Sequence, residues 1–342
     1  MISFNWFLGH YWGFRGRRAR AAGRYSRETL RLYWNAWQAS GKGDDLLSLL
    51  LFRRDLGLDL TYQWSGLLSA SFNTLGRSRR VLACSLLLEF NEHCSDRNSL
   101  NINDANNIQL PATLHCVKEF YSLTSMQQSL VRIYDEQVDW QNSFHFQLCQ
   151  WVKAKGICVV GNAANMTGSF LGEAINRHGC IVRFNVFYAE GVLAEDVGEG
   201  LDVWCVTPSF KSGQKPSIKW SVLLGPELQF RTVNWSGFVS LLNDDGKILT
   251  VPKVVWRGLV KELGSPPSAG IAFLAYLRFL LGSFEGISVA GFGGLTAVSS
   301  GKNQVYHHTT PKHKASPRHN WAGEQKLMHS WLAKGLTSLH DK

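Results

Sequence analysis

No Cys-x-x-Cys pair occurs anywhere in this chain, and its seven cysteines, Cys84, Cys94, Cys116, Cys149, Cys158, Cys180 and Cys205, are odd in number. That pattern argues against a zinc ribbon and against a disulfide framework, and fits reduced thiols in a cytosolic protein. Long apolar runs are missing too. The longest, Ile271 to Leu281, is broken by Arg278 and is too short to span a bilayer. The first ten residues place no basic segment ahead of their apolar stretch, so no signal peptide is expected. There is no Gly-x-Gly-x-x-Gly opening a βαβ unit. The paired acids Asp44-Asp45 and Asp244-Asp245 are sequence neighbours whose side chains diverge, so no metal site is expected and none is needed as a cofactor. Acids are scarcest at the start. Residues 1–40 carry Arg15, Arg17, Arg18, Arg20, Arg24, Arg27 and Arg31 against the single acid Glu28, a net of +6 within a chain total of +10.

The remaining composition is globular. Of 342 residues, 45% are hydrophobic and 18% charged, enough apolar material for one large or two modest domains. Thirteen tryptophans are many, and most of them are expected in cores. The basic start suits an anionic membrane surface, a polyanionic partner or a solvated face. Residues 1–25 interleave Phe4, Trp6, Phe7, Tyr11, Trp12 and Phe14 with arginines, which fits either an amphipathic segment lying on a membrane or a loosely packed terminus.

Helical periodicity then takes over. Leu30, Tyr33, Trp34 and Trp37 recur at helical spacing within 26–39. Asp44 to Leu56 reads as a helix capped by Asp44, with Leu46, Leu47, Leu50 and Leu51 on one face. Tyr62–Leu75 and Ser78–Phe90 read as two more helices. Asn91–Asn107, rich in Asn, Asp and Ser, reads as a linker. Leu114–Trp151 is expected to be helical. The division expected from this pass is a basic, mainly helical region over 1–110 and a catalytic domain over 111–342.

From Gly156 onward strands alternate with helices. Ile157–Val160, Ile181–Phe184, Val203–Thr207, Ser221–Leu224, Ile248–Val251 and Ser288–Ala290 are strand candidates. Ala174–Arg177, Trp235–Leu242, Val255–Leu263 and Ala269–Leu281 are helix candidates. Such alternation predicts a mostly parallel sheet with helices on both faces, binding its ligand at the carboxyl ends of strands. The stretch 156–185 carries the clearest layout: a β-branched strand, a small polar loop over Gly161–Ser169, a helix from about Phe170 to Arg177 whose positive end would face a phosphate, and a second strand ending on Asn185. An ordinary βαβ unit without a ligand fits the same pattern.

Val159-Val-Gly-Asn162, Arg183-Phe-Asn185 and Glu195-Asp-Val-Gly198 together resemble the large motif of the eukaryotic-type sialyltransferases, glycosyltransferase family 29. Pro267-Ser-Ala-Gly270 and Val289-Ala-Gly-Phe-Gly293 resemble the family's small motif, Tyr306-His-His308 its short third motif, and His319-Asn-Trp-Ala-Gly-Glu324 its last, His-x4-Glu. The resemblance covers the second half of the chain. It implies a Rossmann-like sheet of the GT-A-like glycosyltransferase type and an inverting, metal-independent transfer of sialic acid, or of a related keto-sugar acid such as Kdo (3-deoxy-manno-octulosonate), from its cytidine monophosphate (CMP) conjugate to a glycan hydroxyl. The CMP-sugar is then a co-substrate rather than a cofactor. A glycan or lipid-linked sugar is the acceptor, and no nucleic acid partner is expected.

The resemblance also assigns residues. His319 would be the general base, because a positioned imidazole is suited to take a proton from a sugar hydroxyl near neutral pH. His307, with His308 as its alternative, would stabilise the leaving phosphate, and Glu324 would order its segment. Gly161, Asn162, Asn185, Ser268 and Gly270 would hold the donor nucleotide, although Asn162 and Asn185 could equally close turns. Ser268 reads as the N-cap of the following helix. Animal members of the family are Golgi enzymes with a signal anchor and a disulfide between the large and small motifs. No anchor is visible here and 267–293 contains no Cys, which suggests a bacterial-type cytoplasmic enzyme, peripherally membrane-associated at most. Two rivals stand beside this reading: a nicotinamide-dependent oxidoreductase on the same kind of sheet, and a catalytically inactive glycan- or nucleotide-binding relative.

Overall fold

The computed structural model describes residues 4–90, 110–119, 122–187, 194–208, 210, 216–226, 235–242, 245–293, 316 and 318–341. The expected linker at 91–107 and the third-motif histidines His307 and His308 lie outside the described residues. The chain separates into two compact units. The first comprises Met1–Glu136 with Pro226–Val239 and Gly264–Pro266; the second comprises Gln137–Gly225, Ser240–Leu263 and Pro267–Lys342.

The first unit is helical: α1 (Phe4–Ala21), α2 (Arg27–Ser40), α3 (Gly43–Asp55), α4 (Tyr62–Ser71), α5 (Arg77–Phe90), α6 (Pro111–Val117) and α7 (Ser125–Asp135). The N-terminus is therefore an ordered helix and not a loose segment. Ser26 caps α2 by accepting from the Thr29 N–H. Asp44 does not cap α3. The N-cap position falls on Lys42, which makes no side-chain cap bond. Asp44 sits inside the first turn, where its negative charge still suits the helix end and its carboxylate ion-pairs with Arg79. α3 is buried nearly all round. Leu46, Leu47, Leu50 and Leu51 form one core with Leu68, Leu75, Leu86 and Leu87, while Leu49 and Phe52 pack with Tyr25 and Tyr33. A helix apolar on every side is a core helix in a protein of this size.

The second unit is α/β. Its elements are α8 (Gln137–Ala154), β1 (Ile157–Val160), α9 (Gly172–Asn176), β2 (Cys180–Phe184), α10 (Ala194–Val197), β3 (Val203–Val206), β4 (Trp220–Pro226), β5 (Lys247–Val251), α11 (Lys253–Leu263), α12 (Ala269–Leu281), β6 (Ile287–Ala290), α13 (Trp321–Leu332) and β7 (Thr337–Ser338); the residues of a 3-10 helix over Trp235–Leu242 are divided between the two units. The strands form a seven-stranded sheet in the order β5-β4-β3-β2-β1-β6-β7. β1 pairs in parallel with both β2 and β6, and the β2–β3, β3–β4 and β6–β7 pairs are parallel as well. All four residues of β1, β3 and β6 and all five of β2 are buried, as parallel strands covered on both faces must be. On one face Cys158, Val160 and Ile181 pack with Ile175 of α9 and Val197 of α10. On the other, Phe184 meets Phe273 of α12, and Phe144 of α8 meets Tyr276 of α12 and Trp220 of β4.

The six strands expected from the sequence are present with shifts of one or two residues at their ends; β7, two residues long, has no readable period of its own. Cys158, Cys180 and Cys205 are free and buried on neighbouring strands, and burial pushes the Cys180 and Cys205 thiols well above the ordinary cysteine range. Such thiols are inert packing groups.

Gln137 fastens the start of α8 to the sheet edge. Its side-chain amide nitrogen, Nε2, donates to the Ile248 carbonyl at 2.9 Å, and its Oε1 accepts from the Thr250 N–H at 2.8 Å, so a side chain supplies the ladder partner that edge strand β5 lacks on this side. Gln137→Ala is expected to leave both buried backbone groups unpaired and to cost about 2–3 kcal/mol. Thermal unfolding should show a fall in Tm of roughly 5–10 °C with unchanged far-UV dichroism at 20 °C. An unchanged Tm would mean that solvent or a neighbour replaces those bonds.

Candidate active site

Strand order reverses between β1 and β6: the chain runs outward from β1 through β5 on one side and returns to the other side for β6. In an open parallel sheet the crevice beyond the carboxyl ends at such a reversal is where ligands bind. The residues that leave β1 and β6 are both glycine, and they must be. A Cβ on Gly161 would stand 2.4 Å from the Gly291 carbonyl oxygen, and one on Gly291 would stand 2.3 Å from that of Gly161. Gly291 also has φ +72°. The ladder continues past the strand ends, with the Gly161 N–H on the Ala290 carbonyl at 2.8 Å and the Ala163 N–H on the Gly291 carbonyl at 3.0 Å.

Two asparagines extend this seam across the sheet. Asn162, only 8% exposed, donates from Nδ2 to the carbonyls of Phe184 and Val186, both at 3.0 Å, tying the end of β1 to the end of β2. Asn185 adopts φ +48°, a left-handed conformation that Asn tolerates better than most residues. Its Oδ1 accepts from the Thr207 N–H at 3.0 Å, and its carbonyl accepts from Trp204 Nε1 at 2.9 Å, tying β2 to β3. Both residues thus do the turn-closing work the sequence allowed. Each keeps one amide atom that bonds to nothing among the described residues: Oδ1 of Asn162, an acceptor, and Nδ2 of Asn185, a donor.

The loop between β1 and α9 departs from expectation. α9 is a five-residue helix starting at Gly172, and two of the loop donors ahead of it, the N–H groups of Gly168 and Phe170, are already taken. Buried Asp196 accepts the N–H of Gly168 at 2.7 Å and that of Phe170 at 3.0 Å, and its carbonyl accepts from Ser169 Oγ at 3.2 Å. An internal carboxylate fills the place proposed for a phosphate. Asp196 lies in the Glu195–Gly198 stretch, but nothing in the sequence marked its partner.

The small-motif halves are brought together. Gly270, in the first turn of α12, packs against the ring of Phe292, the residue after Gly291; a Cβ there would come within 2.4 Å of that ring. Ser268 occupies the N-cap position of α12 but makes no side-chain bond to that helix's own N–H groups. Its backbone N–H donates instead to Glu324 Oε1 at 2.7 Å. Glu324, 0% exposed, stands in the first turn of α13. Burial pushes its carboxyl up to about 7, against the opposing effect of the hydrogen bonds from Ser268, and Oε2 has no hydrogen-bond partner among the described residues.

His319 leads into α13 one residue before the N-cap Asn320, with its ring 5.3 Å from the Trp321 ring in an edge-on arrangement. Asn320 caps α13 by accepting from the Gly323 N–H and donates from Nδ2 to the Leu263 carbonyl at 2.9 Å, so His319 sits on a segment fastened to the end of α11.

One site residue was missed. His340, just after β7, places Nε2 at 3.1 Å from the Gly291 N–H and at 3.1 Å from Asn165 Nδ2. It accepts at Nε2, so the ring is neutral with its hydrogen on Nδ1, and burial keeps its pKa below the ordinary value. In the sequence His340 was one of several histidines in the C-terminal tail; only the return of β7 beside β6 singles it out. Among the described residues no group of three or more His, Cys, Asp or Glu is placed to hold a metal ion.

Residues 102–230 match the family model of glycosyltransferase family 29 (sialyltransferase). No curated protein matches the chain. Solved structures that resemble it include a mammalian sialyltransferase at 17% identity, with 65% of this chain and 88% of that one covered and a TM-score of 0.42. Another is a mammalian sialyltransferase in complex with Gal-beta-1-3GalNAc-ortho-nitrophenol, at 17% identity, 68% and 91% coverage and a TM-score of 0.42. That likeness is too distant to carry an argument.

The Glu324 carboxyl yields a pH dependence with a definite sign. The folded state holds this proton up to about pH 7, whereas the ordinary value is 4.5. The associated stability is fully present below about pH 4.5 and is lost as pH rises through 7, in total about 3 kcal/mol. Glu324→Gln keeps an oxygen for the Ser268 N–H and removes the charge. Melting curves from pH 5 to 8 should show the parent losing stability relative to Glu324→Gln, with the variant ahead at pH 8. Parallel curves would mean that the carboxylate is stabilised in its charged form.

Proposed function

We propose that the chain, whose residues 102–230 match the family 29 model, is a sialyltransferase-type glycosyltransferase that transfers sialic acid from its CMP conjugate to a glycan hydroxyl with inversion and without a metal ion. The observation that carries the finer reading is the seam at the β1–β6 reversal, where Asn162 Oδ1 and Asn185 Nδ2 remain for a ligand while the rest of each amide holds the strand ends rigid. An acceptor atom and a donor atom at adjacent strand ends suit a neutral grip on a nucleotide's ribose and phosphate.

In this mechanism His319 takes the proton from the acceptor hydroxyl as its oxygen forms a bond to the anomeric carbon. The bond from that carbon to the CMP phosphate oxygen breaks, and CMP departs with the electron pair. The anomeric centre passes through an oxocarbenium-like state and inverts. His307 or His308 would meet the charge on the leaving phosphate. Glu324 does not react. It holds the N–H of Ser268 and so joins the first turn of α13, just after His319, to the small-motif loop at the head of α12. Gly270 belongs to the same contact through Phe292. Sialic acid is the first donor to consider. The eight-carbon acid Kdo is activated by the same nucleotide and is the second. A glycan or lipid-linked sugar would accept the transferred residue. The family match sets the oxidoreductase reading aside.

Purified protein offered CMP-sialic acid or CMP-Kdo in the presence of EDTA should release CMP with one of them. His319→Ala should lower that rate at least about 100-fold, the usual contribution of a general base, while leaving CMP affinity nearly unchanged. Release that requires added Mg2+ would overturn the metal-independent mechanism. CMP binding without turnover of either donor, with or without an acceptor sugar, would favour an inactive relative.

A further inference from the structure

Helix α1 is built the wrong way round for a core helix. Among its residues whose burial is described, the buried positions are Gly9, Gly13 and Gly16, at i, i+4 and i+7, and exposed on the opposite side are Phe7, Tyr11 and Phe14 at the same spacing. The glycines allow α1 to lie close on α2: a Cβ at Gly9 would come 2.8 Å from that of Ser40, and one at Gly16 would meet the Tyr33 ring at 3.3 Å. The aromatics take no part in that contact. Phe7 is 62% exposed, Tyr11 44% and Phe14 57%. One turn further along the same stripe stands Arg18, exposed, with exposed Arg15 and Arg17 on its flanks. Arg15 lies over the rings of Tyr11 and Trp12, and its Nη1 donates to the Tyr11 hydroxyl at 3.2 Å. The helix contains no Asp or Glu at all.

We propose that this face of α1 is a docking surface for an anionic lipid bilayer, on which the helix lies flat with Phe7, Tyr11 and Phe14 in the headgroup region and the arginines on lipid phosphates. Tyr11, with its hydroxyl, favours the interface, the rings of Phe7 and Phe14 supply apolar area to bury at its inner edge, and arginine pairs with phosphate through its planar fork. An exposed apolar stripe bordered by cations and devoid of acids is complementary in charge to such a surface and to few soluble partners. The inverted pattern explains why the glycine stripe is needed: with Phe7, Tyr11 and Phe14 turned outward, α1 relies on close backbone approach to α2 and on Arg20, which ion-pairs with Asp55 of α3. Among the described residues no helix is long and apolar enough to cross a membrane, so the contact would be peripheral. The inference concerns the helical unit and stands whether or not the donor assignment above is correct.

The test uses the full-length protein and extruded vesicles, either phosphatidylcholine alone or phosphatidylcholine with about a third phosphatidylserine, in 0.1 M salt. Co-sedimentation should show binding to the anionic vesicles at least tenfold stronger than to neutral ones, weakening as salt is raised. Phe7→Ser with Phe14→Ser should reduce binding to anionic vesicles at least tenfold with an unchanged Tm, since neither ring is in the core. Arg15→Gln with Arg18→Gln should abolish the preference for anionic lipid. No binding by the parent protein, or binding untouched by both double variants, would overturn the proposal. So would a parent dimer, seen by light scattering, that Phe7→Ser with Phe14→Ser converts to monomer, because the stripe would then be covered by a second copy of the chain.

Discussion

The contact between the backbones of Gly161 and Gly291 sets the geometry of the α/β unit. Two parallel strands leave the sheet here in opposite topological directions, and their first loop residues touch at distances that exclude any side chain. Everything that lines the crevice follows from that closeness. Asn162, one residue on, is carried to where it can reach the carbonyls of Phe184 and Val186. Phe292, one residue beyond Gly291, is carried to where it can fill the space left by Gly270. The Gly291 N–H, turned outward by a positive φ, finds its partner in His340 at 3.1 Å. A methyl group at either glycine would separate the strand ends and displace all three side chains together.

The asparagine seam is therefore built by double use. In water-accessible sites a free amide is mobile and pays rotamer entropy on binding. Here each asparagine spends one end of its amide on backbone groups of a neighbouring strand and presents the other end already oriented. The same economy appears at Glu324, whose Oε1 satisfies the head of α12 from the first turn of α13. Its raised pKa reflects the cost of that position: one carboxylate with a single described hydrogen-bond donor partner in a solvent-free contact. The loop donors at Gly168 and Phe170 show the opposite arrangement, since Asp196 satisfies them internally and leaves no charge to offer a ligand.

How much of this the sequence revealed depends on the range of the interaction. Strands β1 to β6 were legible because parallel strands buried on both faces read as short β-branched runs, and α12 because Ser268 precedes a long apolar stretch interrupted only by Arg278. Asn162 and Asn185 were singled out for the ligand, with turn closure as the rival, and the structure shows that the two readings need not compete. Asp196 and His340 were not legible. Each acts on a backbone group far away in sequence, and a sequence pattern reports a residue's own element, not the carbonyl or N–H that the fold will bring to it. Asp44 misled for a related reason: a good capping residue at the right place was drawn inside the helix by the chance to pair with Arg79, distant in sequence.

Helix α1 carries the same lesson to the surface. Its composition, aromatic and basic, was visible, but composition alone suits a buried helix, a loose terminus or a membrane face. What distinguishes them is which side of the helix is spent on the fold. Glycine has little apolar surface to bury, so a helix that turns Gly9, Gly13 and Gly16 inward gains little hydrophobic stabilisation from those positions, while Phe7, Tyr11 and Phe14 keep theirs outside. A chain that places Phe7, Tyr11 and Phe14 in solvent while Gly faces its neighbour has the apolar residues in the positions that folding does not use. Surface of that kind is costly to leave in water, and its arginine border limits what can cover it to a partner of negative charge.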